Sequence, residues 1–429
     1  MEINWCYKFI VYSKQEQKLL LSSSSERLSL PYFQPSIQHV AVSNHINEYF
    51  EKEFQVKTNV LKCFLQMDRV RIYVVEVLEG SPLLSSNALW LQLSNFNQCK
   101  ELNDIDRSIL EIWLSASLSS AFPWFEFGWR RKMEEWVQKM LPHDSLEFEQ
   151  IRSWERSTLF RVQAENESYY FKAVPDVFSH EPAVSRYLFE NHPSYVPEIL
   201  GIEIEQKWFI MKEVGGSLLG YTDHLEYWRQ SLLRLAHIQK ESIFHTNELK
   251  KLNCPIRPVS QVIRSHLKAS LDDLVRTREI SSETYWRLKD RLPNILEKCD
   301  LLEKHSKLPL ALEHGDFFGG NIKIQEENAI IFDWSDCSLS HPFLSVIVLL
   351  DEVKQLFSER SAEILLEDYL CQWSNYGTRA YLLEEYRMLK TLAPAYYLVL
   401  YQTFIFPTFR DNWDKQQIIE DYIEKWLNP

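Results

Sequence analysis

The chain has 429 residues, a formal charge of −13, 45% hydrophobic residues and only 10 glycines. That length exceeds one ordinary core and points to two or three domains, and so few glycines among so many apolar residues exclude a largely disordered chain. Sixty acidic against 47 basic residues disfavour a nucleic-acid partner, whose affinity rests on Lys and Arg neutralising phosphates, while leaving room for a cationic small molecule.

The seven cysteines (6, 63, 99, 254, 299, 337 and 371) have neither Cys-x-x-Cys nor zinc spacing and read as reduced thiols of a cytoplasmic protein. Met1 to Ile10 lacks the charged start and long apolar core of a secretory signal. The longest uncharged stretch, Thr391 to Phe409, contains Pro394, Gln402 and Pro407, so a buried helix is expected there and no membrane partner. Oligomeric state has no signature in the sequence.

In chain order, residues 1–122 read as a small α/β domain, with strands over Tyr7–Tyr12, Val60–Gln66 and Val70–Leu78 and a helix over Ser43–Phe54. The helix between strands faintly resembles a Nudix-type domain. The Gly and Arg of that motif are absent, and Glu48, Glu51 and Glu53 read as a solvated helix face. Residues 123–144 form a connecting helix and linker. Trp129, Met133, Trp136 and Met140 recur at three and four residues on one apolar face, and Pro142-His143-Asp144 marks a boundary.

Phe148–Trp154, Leu159–Gln163 and Ser168–Val174 then read as three antiparallel strands. Lys172 is a single lysine in the otherwise apolar third strand, where an ammonium needs an anionic partner. Glu181 stands just before Pro182, which favours a first helical turn. Val196–Gly201 and Trp208–Lys212 give two further strands, the second running into Glu213-Val214-Gly215-Gly216. Leu225–Lys240 is an amphipathic helix whose His237 reads as a packed side chain. Residues 250–308 are helical, interrupted by Pro255, Pro258 and Pro293, and residues 360–427 are helical with aromatic anchors.

The most informative stretch is 314–336. Asn321–Gln325 alternates apolar and polar, Glu326-Glu327-Asn328 makes a turn, and Ala329–Phe332 is a short apolar run, which together spell a β-hairpin. Its closure brings Asn321 and Asp333 side by side at the open end. Two protein oxygens completed by substrate phosphates and water are what Mg²⁺ commonly takes. Asp316 lies on the incoming loop among Gly315, Gly319 and Gly320, free to turn toward a substrate hydroxyl beside the metal.

His314-Gly315-Asp316, Asn321 and Asp333-Trp334 resemble the catalytic and metal motifs of the aminoglycoside phosphotransferase family, which has a protein-kinase-like fold. The resemblance implies an α+β, bilobal architecture after the N-terminal α/β domain: a small antiparallel-sheet lobe over 145–213 and a larger helical lobe with the acceptor site over 214–429. It further implies ATP as phosphoryl donor to a small-molecule hydroxyl, Asp316 as base, and Asn321 and Asp333 as Mg²⁺ ligands. Lys172 would grip the α- and β-phosphates, held by Glu181, and the backbone of Glu213 and Val214 would meet the adenine. The loop over the phosphates, glycine-rich in kinases, is here Glu155-Arg156-Ser157-Thr158, so its amides and the Ser157 and Thr158 hydroxyls are the expected donors. A second departure is Ser345, where the family has an aspartate bracing the catalytic loop, so the brace is either missing or supplied by Asp351 or His341. Asp336 is read as aiding the metal through water or as a turn residue. These departures favour the alternative of a non-catalytic nucleotide-binding scaffold, and the intact Asp316, Asn321 and Asp333 set argues for the enzyme.

Overall fold

The computed structural model describes residues 5–24, 27–79, 88–116, 122–410 and 413–428. Residues 1–4 of the segment tested for a secretory signal and 411–412 of the C-terminal helical stretch lie outside these ranges. Two units are distinguished, Met1–Pro175 and Asp176–Pro429.

The first unit opens with β1 (Cys6–Ser13), β2 (Lys18–Ser24), β3 (Arg27–Ser29), β4 (Tyr32–Phe33), helix α1 (Asn44–Phe54), β5 (Lys57–Met67), β6 (Val70–Glu79), β7 (Ala88–Gln92) and helix α2 (Asp104–Ser115). The strands join one sheet in the order β3-β2-β1-β6-β5, with β4 on β1 and β7 on β2. The β1–β6 pair is parallel and the others antiparallel. Successive residues of β1 point to opposite faces, and both faces are covered. Ile10 meets Ile72, Val74 and the Ile109, Leu110 and Trp113 stripe of α2, while Phe9 and Val11 meet Tyr73, Val75 and the Ile46 and Phe50 stripe of α1. Glu48, Glu51 and Glu53 are exposed on the outer side of α1.

Helix α3 (Trp129–Met140) starts after Gly128, whose φ of 86° suits glycine, and lies against the antiparallel strands β8 (Glu147–Trp154), β9 (Ser157–Ala164) and β10 (Glu167–Ala173). The Trp129 and Trp136 rings sit 6.1 and 6.0 Å from that of Phe171. The buried face is Trp129, Arg130, Met133 and Val137, and Met140 is exposed, which corrects the expected stripe at its last turn.

One side chain stitches β8 to the N-terminal sheet. β5 has an irregularity between Val60 and Lys62, and the Gln150 carboxamide fills it, accepting from Val60 N at 2.8 Å and donating to Val60 O at 2.8 Å. Gln150 Oε1 also accepts from Asn47 Nδ2, and Ser153 Oγ donates to Leu61 O at 2.7 Å. A buried amide replaces the missing ladder bonds, which would otherwise leave polar groups unpaired.

The second unit runs α4 (Glu181–Asn191), β11 (Ile199–Glu203), β12 (Trp208–Lys212), β13 (Ser217–Leu218), α5 (Leu225–Ser242), α6 (Thr246–Lys251), α7 (Val259–Arg276), α8 (Ser282–His305), β14 (Ala311–Glu313), β15 (Ile322–Gln325), β16 (Asn328–Ile331), β17 (Ser338–Ser340), α9 (Phe343–Leu356), α10 (Glu359–Cys371), α11 (Arg379–Leu400) and α12 (Lys415–Leu427). Pro258 precedes α7 as expected, whereas Pro293 lies inside α8 without ending it, so the expected interruption there is corrected. Pro394 likewise sits inside α11, which passes into a π-turn at Tyr401–Ile405. Among the described residues, no helix is long and apolar enough to cross a membrane.

The hairpin forms as the alternation requires. Ile322 pairs with Ile331 and Gln325 with Asn328, and Glu326 and Glu327 make the two-residue turn with positive φ. β13 adds to its edge at Lys323 and Ile324. Gly216, at φ 80°, precedes β13 so closely that a Cβ there would fall 1.9 Å from the Ile324 carbonyl. A second pair, β14 with β17, flanks the loop that follows Glu313.

Candidate active site

The loop from β14 to β15 carries Asp316 and Asn321. Its geometry is set first by His314, which is fully buried and packed 4.5 Å from the Trp334 ring. Its Nε2 lies 3.1 Å from the Phe332 carbonyl and Nδ1 lies 3.3 Å from the Asp316 amide. An Nε2–H tautomer satisfies both, donating to Phe332 and accepting from Asp316. The next residue, Gly315, has φ 87° and packs so tightly on the 333–336 segment that a Cβ would fall 2.3 Å from the Asp336 carbonyl. Only glycine turns the chain there.

Asp316 and Asn321 then meet directly. Asn321 Nδ2 donates to the Asp316 carbonyl and to its Oδ2, both at 2.9 Å. With both amide hydrogens spent, the oxygen of the carboxamide is its remaining polar atom. The Phe332 amide donates to the Asn321 carbonyl at 3.0 Å, so Asn321 faces Phe332 and Asp333 follows at the open end of the hairpin. Asp333 adopts φ 62°, a left-handed conformation that a non-glycine residue takes at a cost. The Ser335 hydroxyl lies 3.0 Å from Asp333 Oδ1 and 3.3 Å from Asp336 Oδ2. Burial, and then the carboxylates of Asp336 and Asp333, push Asp316 up to about 7, against the opposing hydrogen bond from Asn321. Several carboxyl groups are thus gathered about Asp316.

A divalent cation fits that donor set: a carboxamide oxygen and a carboxylate are hard ligands, and positive charge would relieve the repulsion that raises Asp316. Among the described residues no group of three His, Cys, Asp or Glu side chains is arranged to hold a metal, and the candidate pair is a smaller set.

The brace beneath the loop differs from both alternatives read from the sequence. Ser345 Oγ accepts from the His314 amide at 2.9 Å and lies 2.9 Å from Glu313 Oε1, to which it donates. The Gly315 amide also reaches the Glu313 carboxyl, which burial pushes up to about 7. His341 is paired with Glu385 at 2.9 Å, and Asp351 stands 4.0 Å from both Lys390 and Lys425. A second clamp was not anticipated: Gly319 donates its amide to Glu352 Oε2 at 2.7 Å, and a Cβ there would fall 2.7 Å from the Gly220 nitrogen and 2.9 Å from the Trp228 ring. Glu352 follows Asp351 after the apolar run of α9, and an acidic pair at the end of that run was its only signal.

The remaining predicted residues are placed as follows. Lys172 is buried on β10, opposite Leu159 of β9. Glu181 is the first residue of α4 and buried, with Pro182 in the first turn as its sequence implied. β8 and β9 are joined by only Glu155 and Arg156, and Trp154 pairs with Ser157. The Thr158 hydroxyl donates to the Arg152 carbonyl at 3.1 Å and is buried, so it is spent within its own hairpin, contrary to the expected free donor. Ser157 Oγ accepts from Trp154 Nε1 at 3.2 Å, which leaves its own proton to give. The carbonyl of Val214 accepts from Lys323 Nζ at 2.7 Å. His237 packs edge-on against the His192 and Tyr195 rings, each 5.5 Å away, and lies 3.2 Å from Glu241 on its own helix, but half-exposed at the surface rather than in the core.

Fold and site together define a small-molecule phosphotransferase of protein-kinase-like architecture. The sequence profile of the phosphotransferase enzyme family matches residues 147–383, and the chain belongs to that family. Similar solved structures include the aminoglycoside phosphotransferase APH(2'')-Ib bound to ADP, at 14% identity and a TM-score of 0.50, covering 69% of this chain and 98% of that one. Choline kinase LicA from Streptococcus pneumoniae aligns at 12% identity and a TM-score of 0.51, covering 70% and 99%. Choline kinase from Cryptosporidium parvum Iowa II aligns at 15% identity and 0.50, covering 69% and 95%. At such identities the likeness is one of fold. No protein with a curated description matches the sequence significantly.

Proposed function

We propose that the protein is a cytoplasmic, ATP-dependent kinase of a small hydroxylated molecule, with 1–122 an N-terminal domain, 123–144 a connector, 145–213 the small lobe and 214–429 the larger lobe carrying the acceptor site. The observation that carries the reading is the bond from the Asn321 amide to the Asp316 carboxylate, which aims one group and leaves the carboxamide oxygen of the other as a ligand atom. In this reading Asp316 takes the proton of the acceptor hydroxyl. Asn321 and Asp333 hold Mg²⁺, which when bound neutralises charge on the transferring phosphoryl group. Lys172, supported by Glu181, orients the phosphates. Of the covering hairpin, Ser157 keeps a proton to donate, while Thr158 serves the hairpin itself. Glu213 and Val214 meet the adenine through their backbone, Val214 by its amide, since its carbonyl is taken by Lys323.

The glycine-free two-residue turn at Glu155-Arg156 favours the scaffold alternative. One experiment separates the two: ADP release from ATP with Mg²⁺ over a panel of hydroxylated metabolites and antibiotics, with thermal melts in ATP with and without Mg²⁺. Acceptor-dependent ADP release that Asp316→Asn removes supports the kinase. Stabilisation by ATP that ignores Mg²⁺, with no ADP released, overturns it in favour of the scaffold.

A further inference from the structure

Three arginines are buried among the described residues: Arg71, Arg130 and Arg257. The first two spend their N–H groups. Arg71 donates to Gln66, Tyr7 and the Gln38 carbonyl, and Arg130 donates to Glu134 and to the Thr58 and Phe148 carbonyls. Arg257 is 9% exposed, yet its guanidinium makes no hydrogen bond and no ion pair with any described residue. The guanidinium carbon lies 5.5 Å from the Phe404 ring centroid, and its charge also reaches the buried Glu313 carboxyl and His180. The side chain is mostly covered and its donors have no protein acceptor among the described residues, and a fixed planar fork of that kind matches a carboxylate or phosphate.

Space for such a group is present. Arg257 lines a cavity of about 270 Å³ together with Pro258, Gln261, Ser265, His266 and Phe404. His266 packs 5.4 Å from Phe404, so the wall beside the guanidinium is flat and aromatic. The main chain of Arg257 is fixed, its amide donating to Leu339 and its carbonyl accepting from Ser340 Oγ, which leaves the side chain as the part offered to a ligand.

We propose that this cavity is a binding site for a small molecule carrying a carboxylate or phosphate, its anionic oxygens on Arg257 and its flat or apolar part against Phe404. The volume suits a ligand below drug size. The site lies in one unit, and its occupancy connects to the catalytic loop through β17, which pairs with β14 ahead of His314. The chemistry recognised is anionic, opposite to the cationic molecules that the net charge admits.

The test is calorimetric titration of the full chain with inorganic phosphate and, separately, with benzoate, repeated on Arg257→Met, Phe404→Ala and Ser265→Phe. Ser265 is exposed at the cavity rim, so the phenyl ring fills the space without touching the core. Saturable binding of at least one anion to the wild type is expected, weakened about tenfold or more in Arg257→Met and in Ser265→Phe. Phe404→Ala should weaken benzoate more than phosphate, and a stronger response to benzoate marks an organic carboxylate as the natural class, to phosphate a phosphate ester. Absence of saturable binding to the wild type overturns the proposal whether or not Arg257→Met folds. Binding that survives both Arg257→Met and Ser265→Phe overturns it as well, since the anion then sits elsewhere.

Discussion

The Ser345 hydroxyl stands 2.9 Å from both the His314 amide nitrogen and a Glu313 carboxylate oxygen. One small side chain thereby joins the strand that enters the Asp316 loop to the helix beneath it. Ser345→Ala leaves a buried amide and a carboxyl oxygen short of a partner, and the expected loss is about 1–3 kcal/mol in denaturant melts. Ser345→Asp is expected to be worse, because it sets a second buried carboxyl against Glu313. Adding Glu313→Val should recover stability by removing one of the two. A double variant no more stable than Ser345→Asp alone would show that the two residues do not share one role.

Glu313 also sets a pH dependence. Burial pushes its carboxyl from the usual 4.5 up to about 7, so the folded protein holds a proton that the unfolded chain releases. The stability from this group is complete below about 4.5 and is lost as pH rises to about 7, amounting to on the order of 3 kcal/mol. In Glu313→Gln the fall should be shallower by that share, leaving the shares of Asp316 and Glu76, which burial also pushes up to about 7. Melting midpoints of wild type and variant that run parallel between those two pH values would contradict the assignment.

Asp316→Asn should retain nucleotide and lose about 10²- to 10⁴-fold in turnover, the usual contribution of a positioned base. Asn321→Ala is expected to lose turnover and, in addition, Mg²⁺ dependence of nucleotide binding, because it removes both the bond to Asp316 and the oxygen proposed to hold Mg²⁺. Titrations of ATP at stepped Mg²⁺ concentrations read the second effect apart from the first.

Gly315→Ala forces a Cβ to within 2.3 Å of the Asp336 carbonyl at a φ of 87°. Either the loop or the 333–336 segment has to move, so activity should fall with a cost of about 1–3 kcal/mol in stability. Gly128→Ala shares the positive φ but meets nothing within 4 Å, and it should show the backbone cost without the loss of activity.

The hairpin could be read from the sequence because alternation fixes the register, and the register puts Asn321 and Asp333 at the same end. The brace could not, since Glu313 lies in a three-residue strand whose burial is complete and whose carboxylate carries no periodic signal. Leu19 to Leu21 escaped notice for a related reason: β2 is covered on both faces, so it reads as an apolar run followed by serines rather than an alternating strand. Thr158 looked like a phosphate donor in isolation, but the tight β8–β9 turn engages its hydroxyl locally. Met140 fits the helical period of α3, yet it is exposed, and periodicity does not say where a neighbour stops.

Gln150 carries a consequence for ancestry. Its carboxamide supplies β5 with both bonds that an adjacent peptide would have given, and it sits only three residues inside the segment 147–383 by which the family is recognised. The N-terminal sheet and the first strand of the phosphotransferase region are thus sewn along a common seam. Any lineage that shed the one would have had to refinish the edge of the other.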